Sequence, residues 1–225
     1  MKLSTLLIAI MNDSKNIKRN LTGCTDGKIF ENSLIEQLTS GSDFVNENPN
    51  KLKQFKSFEK IKKLLSDKSS GKQIIQTNLL NEMLQNRNGI LFYQPLGSQN
   101  FPDILLVIWD YIIPFETKFS KKNGDRPTWN SNLPHDEGIY MFGSKGRQDI
   151  TFFNGMDIMS TVQKKQFTEL VKKSRKNLKE ESEKISDTFT IYLRDMNNQK
   201  ISSFESLNRK SLETKTIELL KLIGA

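Results

Sequence analysis

The chain has 225 residues, 36% of them hydrophobic, which is enough for one large domain with a real core and lies outside the disordered range. Its 34 Lys and Arg against 26 Asp and Glu leave a net charge of +8, a bias toward polyanionic partners such as nucleic acid. Cys24 and His135 are each the only residue of their kind, which excludes an internal disulfide, a cysteine-ligated zinc site and most histidine-based metal sites, and argues against a Ser-His-Asp hydrolase.

In chain order, MKLSTLLIAIM (1–11) begins like a signal peptide. Its apolar run is short, however, and NDSKNIKRN follows with no small-residue cleavage site, so it reads as a buried N-terminal helix. No segment is long enough to span a membrane, and the expected compartment is the cytoplasm. Residues 32–40 and 51–66 carry apolar side chains at helical spacing, and the polar DKSSGK (67–72) interrupts the pattern. A third helix is expected over 73–86, stopped by Asn88-Gly89. Strands are expected at 89–95, 103–109, 111–119, 138–144, 149–155 and 188–195. The run DILLVIW (103–109) is apolar enough for a central strand, and the next run follows almost immediately, around Asp110 and Tyr111, which makes a tight hairpin or a strongly bent pair. Pro114 suggests a bulge or an edge within that second strand. A loop rich in Gly, Pro and Asn spans 120–137, a long basic helix about 157–184, and a closing helix 212–224. Helices, then strands, then helix, strand and helix argue for a single α/β domain with a mixed sheet, 1–225. Within it, 1–70 is a helical N-terminal part, 73–195 the core and 196–225 a helical C-terminal part.

The chemistry is concentrated in FPDILLVIWDYIIPFETKF (101–119). Asp103 opens one buried strand, while Glu116 and Lys118 lie near the end of the next, pointing one way with Thr117 pointing the other. Pairing of the two strands would set Asp103 beside Glu116. Partly buried carboxylates repel each other and lose hydration, and a divalent cation resolves the conflict. With one histidine and one cysteine in the chain, that cation must be held by oxygen, which points to Mg2+ or a similar hard ion. Asp103 and Glu116 would be its ligands, the Thr117 carbonyl a possible third, and Lys118 would orient the attacking water. Phosphodiester hydrolysis needs these parts.

Pro102-Asp103, twelve residues, then Glu116-Thr117-Lys118 resembles the PD-(D/E)XK nuclease motif. The likeness covers roughly residues 73–195 and leaves the first 70 unexplained. It implies a restriction-endonuclease-like α/β core, a central mixed β-sheet flanked by helices. It further implies a type II restriction endonuclease that cuts double-stranded DNA at a short sequence with Mg2+, Mn2+ being a possible substitute, and leaves a 5′-phosphate. Such enzymes are often homodimers, and a cognate DNA methyltransferase is expected as a genetic neighbour. By matching positions, Asp103 and Glu116 are metal ligands and Lys118 the catalytic lysine. Two other readings stand beside this one: a nuclease of DNA repair or junction resolution on the same motif, and a non-catalytic basic DNA-binding protein.

The loop after Lys118 carries Ser120, Lys121, Lys122, Arg126, Thr128, Trp129, Asn130, Ser131 and Asn132, suited to phosphate and base contacts. Its Lys122–Asn130 stretch also resembles segments that follow the catalytic lysine in restriction enzymes. Gln99 either touches DNA or water, or shapes a turn. Lys145 and Arg147 sit between two strands, either entering a groove or capping a solvated hairpin. Glu82 is a candidate additional acid. The lysines around 164–179 read as a solvated helix face, and His135 as a loop residue.

Overall fold

The computed structural model describes residues 2–12, 21–41, 43–121, 126–130, 133–186, 188, 196–198, 204 and 206–225. In chain order the elements are α1 (Leu3–Asn12), α2 (Gly27–Ser40), β1 (Phe44–Glu47), α3 (Pro49–Lys53), α4 (Phe58–Ser66), β2 (Ile75–Gln76), α5 (Asn81–Leu84), β3 (Gly89–Tyr93), β4 (Ile104–Ile108), β5 (Tyr111–Ser120), β6 (Thr128–Asn130), β7 (Ile139–Ser144), β8 (Asp149–Asn154), α6 (Gly155–Ile158), α7 (Thr161–Ile185), β9 (Met196–Asn198) and α8 (Ser206–Leu222). The expected strand over 188–195 falls at residues 189–195 outside those described.

An open mixed sheet runs β1-β3-β4-β5-β7-β8, with β2 joined to β5. The pairs β3–β4, β4–β5 and β7–β8 are antiparallel, while β1–β3 and β5–β7 are parallel. Side chains alternate across it. Leu91, Ile104, Leu106, Ile113, Phe115, Met141 and Phe152 pack with α1, α2 and α8 on one face. Ile90, Phe92, Leu105, Val107 and Ile112 pack with α3, α4 and α5 on the other. Farther along that second face an aromatic cluster, Trp129, Tyr140, Phe142, Phe153 and Phe204, continues the core.

Three expectations change. The helix read over 51–66 is two helices, α3 and α4, broken at 54–57. Phe58 N bonds back to Phe55 O, and the Ser57 hydroxyl donates to Leu79 O at 3.0 Å, so the chain turns and lets both Leu52 and Ile61 reach the core. The helix read over 73–86 is the short strand β2 followed by one turn, α5. There Ile75 pairs with Ile112, and Asn154 Nδ2 holds the Gln73 carbonyl at 2.8 Å, so tertiary partners claim backbone that apolar spacing assigned to a helix. Pro114 lies in an interior strand, in register opposite Leu105 with no bulge. On its other side β5 pairs with β2 at Ile112 and with β7 from Phe115 onward, so the missing N–H falls between the two partners. Two helices also start earlier than their apolar spacing shows: α2 at Gly27, capped by the Asp26 carboxylate, and α8 at Ser206.

Helix α7 opens with a capping box, Ser160 with Gln163, and buries only Lys164 and Ser182 along 25 residues; the lysines expected on a solvated face over 164–179 lie there except Lys164, which the core takes as the partner of a buried carboxylate. Lys164 is 1% exposed and pairs with Asp136, 0% exposed. Asp136 Oδ2 accepts from Gly71 N at 2.8 Å and Thr161 Oγ1 at 3.0 Å, and Lys164 also donates to Gly155 O at 3.1 Å. A Cβ on Gly155 would run into the His135 carbonyl oxygen, so glycine lets the 133–138 segment lie against the end of β8.

Removing one partner strands the other charge in the core. Asp136→Ala is expected to lower unfolding free energy by about 3–5 kcal/mol in urea titrations. Lys179→Ala, which removes an exposed pair with Glu183, should change it by less than about 1 kcal/mol; equal losses would show that the buried pair stabilises nothing special.

Candidate active site

The site forms where the β4–β5 ladder runs out. Ile104 is opposite Phe115 in the last pair of the ladder, so the next position of β5 that bonds toward β4, Thr117, has an N–H in need of an acceptor. The Asp103 carboxylate fills the place. Its Oδ2 accepts from Thr117 N at 2.7 Å and from Thr117 Oγ1 at 2.8 Å. The Thr117 carbonyl points to the same strand edge as its N–H, beyond the last paired residue of β4.

Glu116 and Lys118 flank Thr117 on the opposite sheet face, in register with Tyr140 and Phe142 of β7. Lys118 Nζ donates to Glu116 Oε1 at 2.7 Å, with each side chain 19% exposed. Burial pushes the Glu116 carboxyl up to about 7; the Lys118 ammonium opposes that shift and the Asp103 carboxylate adds to it. Asp103, Glu116 and Lys118 therefore share one strand end, and Glu116 is poorly compensated as an anion.

A further carboxylate that spacing did not reveal comes from α2. Glu31 Oε2 accepts from the Tyr93 hydroxyl at 2.8 Å, and Gln94 Nε2 donates to that hydroxyl at 3.1 Å. Burial raises the Glu31 carboxyl above the usual range, and the Asp103 charge adds to the shift, while Tyr93, Thr117 and Lys118 oppose it. The one available signal was its position, an acid three and four residues before buried Leu34 and Ile35 on the stripe that faces the sheet. Glu82 is not part of the site; it lines a separate cavity with Gln54, Phe55 and Leu79.

Among the described residues no three His, Cys, Asp or Glu groups converge into a closed metal cage. Asp103, Glu116 and the Thr117 carbonyl would instead form an open, oxygen-only set. Such a set suits Mg2+, which binds through one or two carboxylates and keeps several waters. A raised carboxyl beside a second carboxylate is the electrostatic state that a divalent cation relieves.

A cavity of about 310 Å3 opens beside Glu116 and Lys118, bounded also by Ser120, Arg126, Trp129 and His135. Loop residues Arg126 and Trp129 thus come to the site. Trp129 is 4% exposed and packs edge-on against Tyr140, so it faces the interior. Thr128 and Asn130 lie in β6, which pairs with β9, and Lys121 is exposed just past β5. Lys122, Ser131 and Asn132 lie outside the described residues. Gln99 lines a neighbouring cavity with Lys53, Lys62 and Lys68, separated from the first by the stacked rings of Phe101 and His135, 3.8 Å apart. Lys145 N donates to Ser120 O at 2.8 Å, which brings the 145–148 turn beside the end of β5, but the Lys145 ammonium is held by the Cys24 carbonyl at 3.2 Å. Arg147 is half-buried in that turn, its N–H on Ser144 Oγ at 3.1 Å.

Between the ordinary value of 4.5 and about 7 the folded chain holds a proton on Glu116 that the unfolded chain has lost, so stability falls as pH rises through that window. Without divalent ions, Glu116→Gln should exceed the parent by roughly 1–3 kcal/mol at pH 8 and match it near pH 4 in chemical denaturation. A difference that does not change with pH would contradict the assigned shift.

Compared with protein-family models, curated proteins and solved structures, the chain matches none of them.

Proposed function

We propose that this chain is a Mg2+-dependent endonuclease of the PD-(D/E)XK kind, acting on double-stranded DNA as a type II restriction enzyme. The observation that carries the reading is the meeting of Asp103, Glu116 and Lys118 at one strand end beside an open cavity. The meander β3-β4-β5 with β7 parallel to β5 supports a restriction-endonuclease-like core. The arrangement departs from that pattern in one respect: among the described residues no helix lies between β5 and β7. The net charge of +8 suits a polyanionic substrate. No helix among the described residues is long and apolar enough to cross a membrane.

Asp103, Glu116 and the Thr117 carbonyl would hold Mg2+, or Mn2+ in its place. When bound, the ion supplies polarisation of the scissile phosphate and a lowered pKa for water. Lys118 positions the attacking water and offsets charge growing on the phosphoryl oxygens. Asp103 is fixed for its part by two bonds to Thr117 through a single oxygen, which leaves the other available. Glu31, held by the Tyr93 hydroxyl, lies against the Thr117 side chain. In the reaction, water adds to phosphorus and the P–O3′ bond breaks. The 3′-oxygen leaves as a hydroxyl after protonation, and a 5′-phosphate remains. A two-fold symmetric target would be read by a homodimer, and a host carrying such an enzyme would need a cognate DNA methyltransferase.

Purified protein incubated with unmodified plasmid and phage DNA should yield discrete fragments with Mg2+ and none with chelator. Glu116→Ala and Lys118→Ala should each cut at least about 100-fold more slowly while retaining DNA in a mobility-shift assay. Full-rate cutting by either variant, or cutting in chelator, would remove the assignment. Cuts that follow DNA structure, not sequence, would place the enzyme in repair or junction resolution. DNA that is bound but left intact would leave a binding protein.

A further inference from the structure

Hydrolysis of a backbone phosphate needs charge and a cation, not a recess lined with rings. Yet the cavity beside Glu116 and Lys118 is walled by Phe101, Trp129, His135 and Tyr140 in addition to Arg126. At about 310 Å3 it is at the small end of ligand pockets, of a size for one small molecule and not for a duplex.

Two of its lining residues each hold a buried side-chain nitrogen without a hydrogen-bond partner, Trp129 Nε1 and His135 Nδ1. Both residues are 4% exposed. Buried polar groups in folded proteins are nearly always paired, so two orphans on one cavity are informative. The indole is drawn toward the Tyr140 hydroxyl, whose oxygen also accepts from His135 N at 2.8 Å, without reaching hydrogen-bond geometry there. An indole N–H can only donate. Burial, with the charges of Lys68 and Lys164, pushes the His135 imidazole down to about 3, so the ring is neutral, and the Asp67 carbonyl draws its one N–H. Since Nδ1 has no partner, the bonded nitrogen is Nε2, and Nδ1 is left as an acceptor. The residues around the cavity thus bring one donor, one acceptor, aromatic rings and the Arg126 cation together, next to the residues assigned to phosphate chemistry.

We propose that this cavity receives a single nucleotide whose base is unpaired, with the base against the aromatic wall, its polar edge on Trp129 Nε1 and His135 Nδ1, and its phosphate toward Arg126 and Lys118. A nucleobase presents donors and acceptors on one flat edge, and its faces stack on aromatic side chains. The inference rests on the nuclease reading of the same site and adds to it that the enzyme engages a nucleotide lifted out of the helix. Extrusion costs least where the base is mismatched or lacks a partner, so such positions would be preferred.

Trp109 and Trp129 are the only two tryptophans. Trp109 is 67% exposed in the β4–β5 turn, at the opposite end of β4 from Asp103. Trp109→Phe therefore leaves Trp129 as a single fluorescent reporter inside the cavity. Titration of that variant with dAMP, dGMP, dCMP and dTMP should give a saturable emission change with at least one of them. A duplex with one unpaired nucleotide should bind roughly ten-fold tighter than the fully paired duplex. Trp129→Phe, with folding checked by circular dichroism, should abolish that preference. Should Trp129→Phe not fold, Arg126→Ala in the Trp109→Phe background should weaken the nucleotide response by a similar factor. The proposal is overturned if none of the four nucleotides moves Trp129 emission, or if paired and unpaired duplexes bind alike. Cleavage is scored separately. Mg2+-dependent cutting with a silent Trp129 removes the pocket and keeps the nuclease; a Trp129 response without cutting does the reverse.

Discussion

The rest of the site depends on a pair of charges with almost no water around them, Asp136 and Lys164. Taking two ions out of solvent carries a penalty of several kcal/mol each, and attraction alone offsets it only when the remaining lone pairs and protons are satisfied. Here they are. Gly71 N and Thr161 Oγ1 take one carboxylate oxygen, and the Gly155 carbonyl takes a second ammonium proton. Four separate stretches of chain meet at this pair: the strap after α4, the segment before β7, the residue after β8 and the first turn of α7. The segment before β7 carries His135, which stacks on Phe101 and donates its main-chain N–H to Tyr140. One wall of the cavity beside Glu116 and Lys118 is therefore set by a buried ion pair behind it.

The other wall follows from a gap in a ladder. The β4–β5 pairing ends at Ile104 and Phe115, so the Thr117 N–H lies beyond the last paired residue of β4, and the carboxylate of Asp103 accepts it in place of a strand carbonyl. The same substitution that closes the ladder draws Asp103 toward β5. Glu116, on the adjoining position but the other face, then faces both a neighbouring anion and a loss of hydration, with Lys118 as its compensation. Local chain chemistry and sheet register together produce a site short of positive charge.

The β4–β5 hairpin was legible because its evidence is local: two unbroken apolar runs, a two-residue turn, and three polar side chains whose spacing fixes their faces. The mixed α/β sheet followed from the order of such runs. Other parts were hidden by tertiary claims on the backbone. Ile74, Ile75, Leu79, Leu80 and Met83 recur at helical spacing, yet Ile75 belongs to a strand because Ile112 pairs with it. Pro114 was read as an edge signal, but an interior strand can hold it where its two neighbours leave a gap between them. Glu31 joins the site only because α2 packs across β5, and Trp129 turns inward because Tyr140 and Phe204 build a cluster there. Neither contact leaves a periodicity to read.

Helix α7 is pinned at Lys164 near one end and at Ser182 near the other. Between them it crosses about 27 Å, at 1.5 Å per residue, with no fully buried side chain. Over that stretch its rigidity comes from its own surface, through pairs such as Lys172–Glu169, Lys176–Glu180 and Lys179–Glu183. Such pairs contribute a few tenths of a kcal/mol each and are screened by salt. Ionic strength should accordingly set how fast the mid-helix amides exchange with solvent, while those anchored beside Lys164 stay protected at any salt concentration.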